Sequence, residues 1–345
     1  MKKIAIIGAG ISGLFIANLF KKNQNYQITI YEKNSSITLE NGYGIQLSVN
    51  SIKLLNKIGF KEFQNNEKFN PEKINFYSIK NLNKICDLNI AKFNLDDCKY
   101  TTLKRSNLIN FLKKDLDDLI KTDYDIAKID QDDKRIKLFF ENDESTECDY
   151  LIISDGVFSK SKRLVLNNKI KPKFNNTLAI RGVLSRSLKN IDNKNISLFL
   201  GSNFHQVIYP TNPYGDLNFI AIMKYNLSPE HQKNYSLFMN KSFIINVLEK
   251  IPKVNRVFIK NLKEIKTFPV FVSDKIHKLQ NNNIHLIGDA FFAFPPSFAQ
   301  GASQSIESAY ELFQNIENNT EIKFFNDRVN KTKMVNIRSK FNQFV

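Results

Sequence analysis

Tryptophan is absent from these 345 residues, and cysteine and histidine are scarce, at three and four. Cys86, Cys98 and Cys148 are odd in number and widely scattered, so they fit neither a disulfide framework nor a metal-ligand set. With no paired histidine motif either, no metal site is expected, and a reducing, cytoplasmic setting fits this cysteine usage best. No apolar run reaches the roughly 18 residues of a membrane helix, so no integral membrane segment is expected. The opening "MKKIAIIGAG" has the lysines and apolar run of a signal peptide. Its glycines are spaced for a turn and no small-residue cleavage site follows, so secretion is not expected. Long basic blocks are missing too. Lys and Arg outnumber Asp and Glu by 50 to 34, giving +16, but the longest basic cluster is "KSKR" at 160–163. Charge spread this evenly predicts no nucleic-acid partner, although it steers small anions toward the surface.

What the chain does have is core material: 42% hydrophobic residues and 29 Phe, enough for two domains or one large interleaved one. Its first thirty residues read as a short apolar strand, then Gly8-x-Gly10-x-x-Gly13 opening a helix, with Ile11 and Ser12 inside the turn. A second strand-like run, "YQITIYEK", ends at Glu32 and Lys33. Each part has a physical task. Gly8 makes the tight turn, Gly10 lets a pyrophosphate approach the backbone, and Gly13 lets the helix pack against the strand. The helix N-terminus offers free N–H groups to phosphate, and Glu32 can accept from ribose hydroxyls. The pattern predicts binding of an ADP moiety, and an acid at Glu32 disfavours a 2′-phosphate there. The cofactor is therefore FAD or NAD.

Later segments bear on that choice. "GYGIQLSVN" (42–50) is a Gly-x-Gly loop with Ile45, leading into an amphipathic helix. Arg105 stands before a helix carrying Leu108, Leu112 and Leu116. An apolar strand ends in Asp155-Gly156. "HQVIYP" (205–210) follows, and then "IGDAFFAFPPSFAQGASQSIESA" (287–309), a strand running through Gly-Asp and two prolines into a helix led by Gly301. These motifs, in this order over nearly the whole length, resemble the FAD-dependent aromatic hydroxylases. Those are the single-component flavoprotein monooxygenases that include salicylate and 6-hydroxynicotinate hydroxylases.

The resemblance implies a fold: α/β, a Rossmann-like FAD-binding domain with an inserted, mainly antiparallel β-sheet substrate domain and a C-terminal helix. It also implies roles. Glu32 and Lys33 would meet the adenosine ribose region, and Arg105 the phosphate and ribityl side of the flavin. Asp155 is associated with flavin and nicotinamide binding, although an Asp in that setting also caps the next turn. Asp289 would bond the ribityl hydroxyls. Gly301 and Ala302 would present backbone N–H groups to the pyrimidine edge, where reduced flavin gathers negative charge that a helix N-terminus stabilises. The implied reaction has two halves. NADH or NADPH reduces FAD, then dioxygen adds to give a flavin hydroperoxide that hydroxylates an aromatic or related unsaturated small molecule.

Strand-like runs between Lys173 and Phe268, broken by Asn, Pro, Gly and Asp, predict an antiparallel sheet roofing the flavin ring, with 74–90 adding two strands. The division expected is 1–72, 101–172 and 268–325 for the FAD-binding domain, 73–100 and 173–267 for the substrate domain, and 326–345 for a basic C-terminal helix. His205 and Tyr209 alternate onto one strand face and are the candidates for proton handling. Arg181 is a candidate to pair with a substrate carboxylate. The family usually reads Gly-Asp-Ala-Ala-His-Pro where this chain has Gly288-Asp289-Ala290-Phe291-Phe292-Ala293, and Ser308 replaces a usual Asp. Phe292, with Pro296, is expected either to wall the substrate pocket with apolar surface or, in place of the usual His, to mark a lost proton relay. The alternatives are an FAD-dependent reductase of isoprenoid-type double bonds and a non-catalytic FAD-binding module. The lack of Trp argues against a halogenase. Oligomeric state is left open.

Overall fold

The structure, a computed structural model, describes residues 1–37, 43–132, 135–167, 170–186 and 191–341. Gly42, half of the expected Gly-x-Gly loop, and the last four residues of the expected C-terminal helix lie outside them.

A five-stranded sheet forms the base of the half that carries the glycine turn. Its order is Ile284–Leu286, Tyr150–Ile153, Lys2–Ile7, Tyr26–Tyr31 and Ile120–Lys121. Every pairing is parallel. Runs such as "IAII" and "YLII" are apolar on both faces because both faces are covered. On one side Ile4, Ile6 and Ile152 pack with Leu14, Phe15, Leu108, Leu112, Ile306 and Leu312 from three helices, Ile11–Phe20, Arg105–Lys113 and Gly301–Glu317. On the other side Ala5, Ile7, Leu151 and Ile153 meet Ile126, Leu138 and Phe140. Those residues belong to a three-stranded antiparallel ribbon.

The second layer is a seven-stranded sheet. Its order is Leu262–Val272, Lys173–Leu184, Leu217–Lys224, Phe204–Pro210, Ile196–Leu200, Lys73–Ser78 and Lys84–Asn89. All pairings are antiparallel except that of Ile196–Leu200 with Lys73–Ser78. One face packs Leu178, Ile180, Ile208, Phe219 and Ala221 under Phe238, Val247 and Phe258. The period of two then forces Ala179, Arg181, His205, Val207, Tyr209, Ile220 and Ile222 onto the opposite face. The strand Leu262–Val272 runs through the division expected at 267/268. The C-terminal helix begins at Glu321, five residues earlier than expected.

A small sheet ties the halves together, with Gly44–Leu47, Thr101–Lys104 and Lys68–Phe69 side by side. Gly44 N–H donates to Asn218 Oδ1 at 2.6 Å, and a Cβ on Gly44 would sit 2.7 Å from Thr211 and 2.8 Å from Asn218. Thr102 Oγ1 donates to Pro210 O at 2.5 Å.

One buried group gives the fold a pH signature. His285, on the strand Ile284–Leu286, lies between Tyr150 and Phe324, and its Nε2 has no hydrogen-bond partner. Burial pulls its pKa down from 6.5 to about 4. A depressed histidine pKa means that the unfolded chain binds the proton more tightly. Its contribution to stability is therefore complete above pH 6.5 and lost as pH falls toward 4, by about 3 kcal/mol at 1.36 kcal/mol per unit. Chemical denaturation at pH 7 and pH 4.5 should show that loss in the wild type, and His285→Phe should remove most of it.

Candidate functional site

The glycine turn supplies one end of a cleft. Gly8 has φ 99°, a conformation open to glycine. A Cβ on Gly13 would lie 2.1 Å from Gly8 O and 2.6 Å from Ser154 Oγ, so only a hydrogen fits between helix and strand. At Gly10, by contrast, an added Cβ meets nothing within 4 Å. That is the difference between a glycine needed for packing and one that keeps space open. Gly10 is the N-cap of Ile11–Phe20 and offers no side-chain cap, which leaves the first N–H groups of that helix for a ligand. Ser12 is buried, and Ile11 is half-buried against the core. Glu32 Oε2 accepts from Ala9 N–H at 3.0 Å and Oε1 from Asn34 Nδ2 at 2.8 Å, so the carboxylate is fixed beside the turn. Lys33 is exposed.

The late segment closes the other side. Gly288 has φ 58°, and its N–H donates to Ser308 Oγ at 3.0 Å. Ser308 thereby ties the Gly-Asp turn to the long helix. Asp289 follows in a one-turn helix, Gly288–Phe291. Solvent reaches its side chain, yet protein walls it in, and that enclosure pushes its carboxyl up to about 6 while Arg105 draws it back. The helix Gly301–Glu317 has Gln300 as N-cap with no side-chain bond, and a Cβ on Gly301 would meet nothing within 4 Å. Gly301 is exposed and Ala302 half-buried, so two glycine-led helix termini border the cleft.

Arg105 is exposed and is the first residue of Arg105–Lys113 rather than a residue ahead of that helix; its N–H donates to Tyr43 O at 2.9 Å. Its guanidinium feels burial first, then repulsion from Arg181 and attraction to Asp289. These three charges therefore share one space. Ile45, half-buried, pairs with Leu103 beside it. Arg181 lies over the Tyr43 ring, 5.4 Å from its centroid, and burial pulls its guanidinium down although it stays charged. Tyr209, 3% exposed, is hydrogen-bonded to Gln46 and Asn218, and burial pushes its phenol up to about 12. Tyr100 OH donates to the same Gln46 at 2.7 Å. This Tyr100–Gln46–Tyr209–Asn218 network crosses between the two halves and has no signature in local sequence, because its members come from four separate segments.

His205 is 5% exposed. It shares the strand face with Tyr209, four residues or about 13 Å away, so the two do not meet in one hydrogen-bonded pair. Asp155 Oδ2 accepts from Ser161 N–H at 3.0 Å, which caps the helix Lys160–Val165, while Oδ1 is buried without a partner. Pro296 is half-buried in the turn that leads to Gly301. Phe292 departs from expectation. It is 4% exposed, its ring centroid lies 5.1 Å from that of Phe294 in a tilted contact, and it belongs to the core under the antiparallel ribbon. The one-turn helix at Gly288–Phe291 sends this ring into the core, so it does not wall the substrate face.

The residues present suit FAD. Added Cβ atoms at Gly10, Gly156 and Gly301 would meet only open space. Two helix N-termini, a carboxylate at Glu32, another at Asp289 and a cation at Arg105 match a dinucleotide with a polyol linker. Comparison with known proteins agrees. A family model described as "FAD binding domain" matches residues 1–320. The 6-hydroxynicotinate 3-monooxygenase of Bordetella bronchiseptica is 24% identical over 332 residues, covering 90% of this chain and 81% of its own. Salicylate hydroxylase of Pseudomonas putida is 23% identical over 342 residues, covering 90% and 75%. Among solved structures, Klebsiella pneumoniae HpxO complexed with FAD and uric acid superposes with TM-score 0.85 at 15% identity, covering 99% of this chain and 87% of that one. The 2,6-dihydroxypyridine-3-hydroxylase of Arthrobacter nicotinovorans gives 0.81 at 17%, covering 100% and 94%. The chain belongs to the FAD-binding-domain family, as an FAD-dependent oxidoreductase of the aromatic-hydroxylase, monooxygenase type.

Proposed function

We propose that this enzyme hydroxylates a planar ring compound bearing an acidic group, at the expense of NADH or NADPH and dioxygen. The observation that carries the reading is Arg181, a desolvated guanidinium set among Ala179, Ile220, Ile222 and Val207 on the sheet face that shares its space with Arg105 and Asp289. An apolar face takes the flat ring, and one half-buried cation takes its carboxylate or phenolate. Two relatives whose names specify hydroxynicotinate and salicylate act on ring acids of that kind.

When bound and reduced, FAD supplies the oxygen-transfer chemistry. Glu32 would hold its ribose, the Gly10 turn its pyrophosphate, Arg105 and Asp289 its ribityl side, and Gly301 and Ala302 its pyrimidine edge. The protein's remaining share is orientation and dryness. Arg181 fixes the acidic group, and the apolar face keeps water from the reacting ring. Tyr209, protonated well past neutral pH, acts as a hydrogen-bond donor rather than a base, and His205 is the candidate proton carrier. Both residues should matter to turnover: Tyr209→Phe and His205→Ala are each expected to slow hydroxylation by about 10- to 100-fold at unchanged flavin content. Unchanged turnover in both would remove them from the mechanism.

For the coenzyme, a cleft of about 270 Å³ opens beside Asp155-Gly156. Lys162, Arg163, Lys171, Lys275 and His277 line it, and Phe158, 45% exposed, stands at its lip. Cations for phosphates and a ring for a base support docking of a reduced nicotinamide dinucleotide here. Lys275→Ala and Arg163→Ala should each raise the coenzyme KM by about 10-fold, the loss of one charge-assisted contact, with kcat retained. An unchanged KM in both would place the coenzyme elsewhere. The reading as a whole is tested by coenzyme oxidation and oxygen uptake across paired ring acids and their neutral amides. Stimulation by the acids and not by the amides is expected. Equal rates with both, or peroxide as the sole product, would oppose it.

A further inference from the structure

The C-terminal helix Glu321–Phe341 makes a contact that the flavin site itself does not require. Arg328, 2% exposed, reaches the first turn of Gly301–Glu317, where its Nη2 donates to Gln304 O at 3.1 Å and to Gln304 Oε1 at 2.6 Å. Gln304 Nε2 in turn donates to Glu307 Oε2 at 3.0 Å and to Gln300 Oε1 at 3.4 Å, and Gln304 N–H to Gln300 O at 2.8 Å. Arg328 is anchored from behind by Glu311, at 3.4 Å, and by Glu307, at 4.0 Å. A second tie lies further along, where Ser297 Oγ donates to Ser339 O. Between these ties sit Ala299, with φ 51°, and the Gln300-Gly301 junction. A left-handed alanine costs about 1–2 kcal/mol, so this turn keeps its shape only because it is held from outside.

We propose that Arg328 is a positioning residue for the flavin. By clamping Gln304, and through it Gln300, it fixes the direction of the free N–H groups at Gly301 and Ala302. Hydrogen bonds at an electrostatic site lose strength steeply with misalignment, and donors aimed at developing charge work only when preorganised. Reduction puts negative charge at the pyrimidine edge, so a loosened turn stabilises reduced flavin less than oxidised flavin. The signature of positioning is thus a lowered midpoint potential, together with weaker FAD binding. A purely structural ion pair would move neither.

This inference rests on the pyrimidine edge lying at Gly301 and Ala302, and the experiment separates the two. FAD affinity of the apoprotein is measured by fluorescence titration, and midpoint potential by reduction against a reference dye, for Arg328→Met, Arg328→Lys, Gln304→Met, Glu311→Gln and Gly301→Val. Arg328→Met and Gln304→Met should each weaken FAD at least 10-fold and lower the potential. Arg328→Lys should restore part of both, and Glu311→Gln, which leaves the Gln304 contacts in place, should change neither by more than about 2-fold. If Arg328→Met fails to fold, Gln304→Met carries the same reading. Wild-type affinity and potential in both Gln304→Met and a folded Arg328→Met would overturn the proposal, as would a Glu311→Gln defect equal to theirs. Gly301→Val with unaltered affinity and potential would instead refute the placement of the pyrimidine edge, and the proposal with it.

Discussion

Gly13→Ala is expected to yield a protein that is destabilised and, where soluble, nearly free of flavin. The added methyl would sit 2.1 Å from Gly8 O and 2.6 Å from Ser154 Oγ, and Ser154 Oγ already bonds Ile7 O and Gly8 O at 2.9 and 3.0 Å. A clash with backbone is not relieved by a rotamer change, so helix and strand must part. Overpacking of this kind costs about 1–3 kcal/mol in an ordinary core, and here it would also spread the turn proposed to hold the pyrophosphate. Gly10→Ala should behave differently. Its methyl has free space in the protein alone, so melting of the apoprotein should stay within about 1 °C of wild type, a surface-like effect. FAD affinity should nonetheless fall at least 10-fold, because on the proposed placement the methyl takes the room of a phosphate. Thermal melts and flavin absorbance of the two purified variants check both outcomes. Equal flavin content in all three proteins would contradict this account of the turn.

Arg181→Met should separate cofactor from substrate. Methionine keeps the apolar reach and removes the charge, and Arg181 belongs to the sheet rather than to the dinucleotide cradle. FAD content should hold at the wild-type level. The KM for an acidic ring substrate should rise about 100-fold, near 3 kcal/mol, the scale of a buried charge-assisted pair. Oxidation of coenzyme should also uncouple from hydroxylation, with peroxide replacing product, since an unanchored ring is not held in line for transfer. Stopped-flow flavin reduction and a product-to-coenzyme ratio measure both parts. A wild-type ratio and KM would show that the substrate acid is held elsewhere.

The sequence displayed the cofactor half well and the substrate half poorly, for a physical reason. Phosphate binding needs backbone geometry, and backbone geometry leaves glycines at fixed spacings, so Gly8, Gly10, Gly13 and Gly301 stood out in the sequence as candidates. The Gly-Asp segment was readable because a strand runs into Gly288-Asp289 and the chain then leads to a helix headed by Gly301. Ser308 was visible as a departure, but its bond to Gly288 N–H depends on how the long helix passes the turn. Tyr209 was picked out by strand alternation, yet its hydrogen-bond partners, Gln46 and Asn218, lie more than 160 positions upstream and nine downstream. Phe292 was misplaced for the opposite reason. A one-turn helix after Gly288 rotates side chains by about 100° per residue, and that turn is too short to leave a periodic pattern. Asp155 had two plausible uses, and the structure shows its Oδ2 in the capping one while Oδ1 remains unpartnered.

The most direct test of monooxygenase function is isotopic. The holoenzyme is supplied with NADH or NADPH, a ring acid that stimulates coenzyme oxidation, and oxygen-18 gas, and the product is weighed by mass spectrometry. One labelled oxygen atom per product, formed in step with one coenzyme oxidised and lost in Arg181→Met, is the predicted result. A product without label, or coenzyme oxidation that yields only labelled peroxide with every ring acid, would contradict the account.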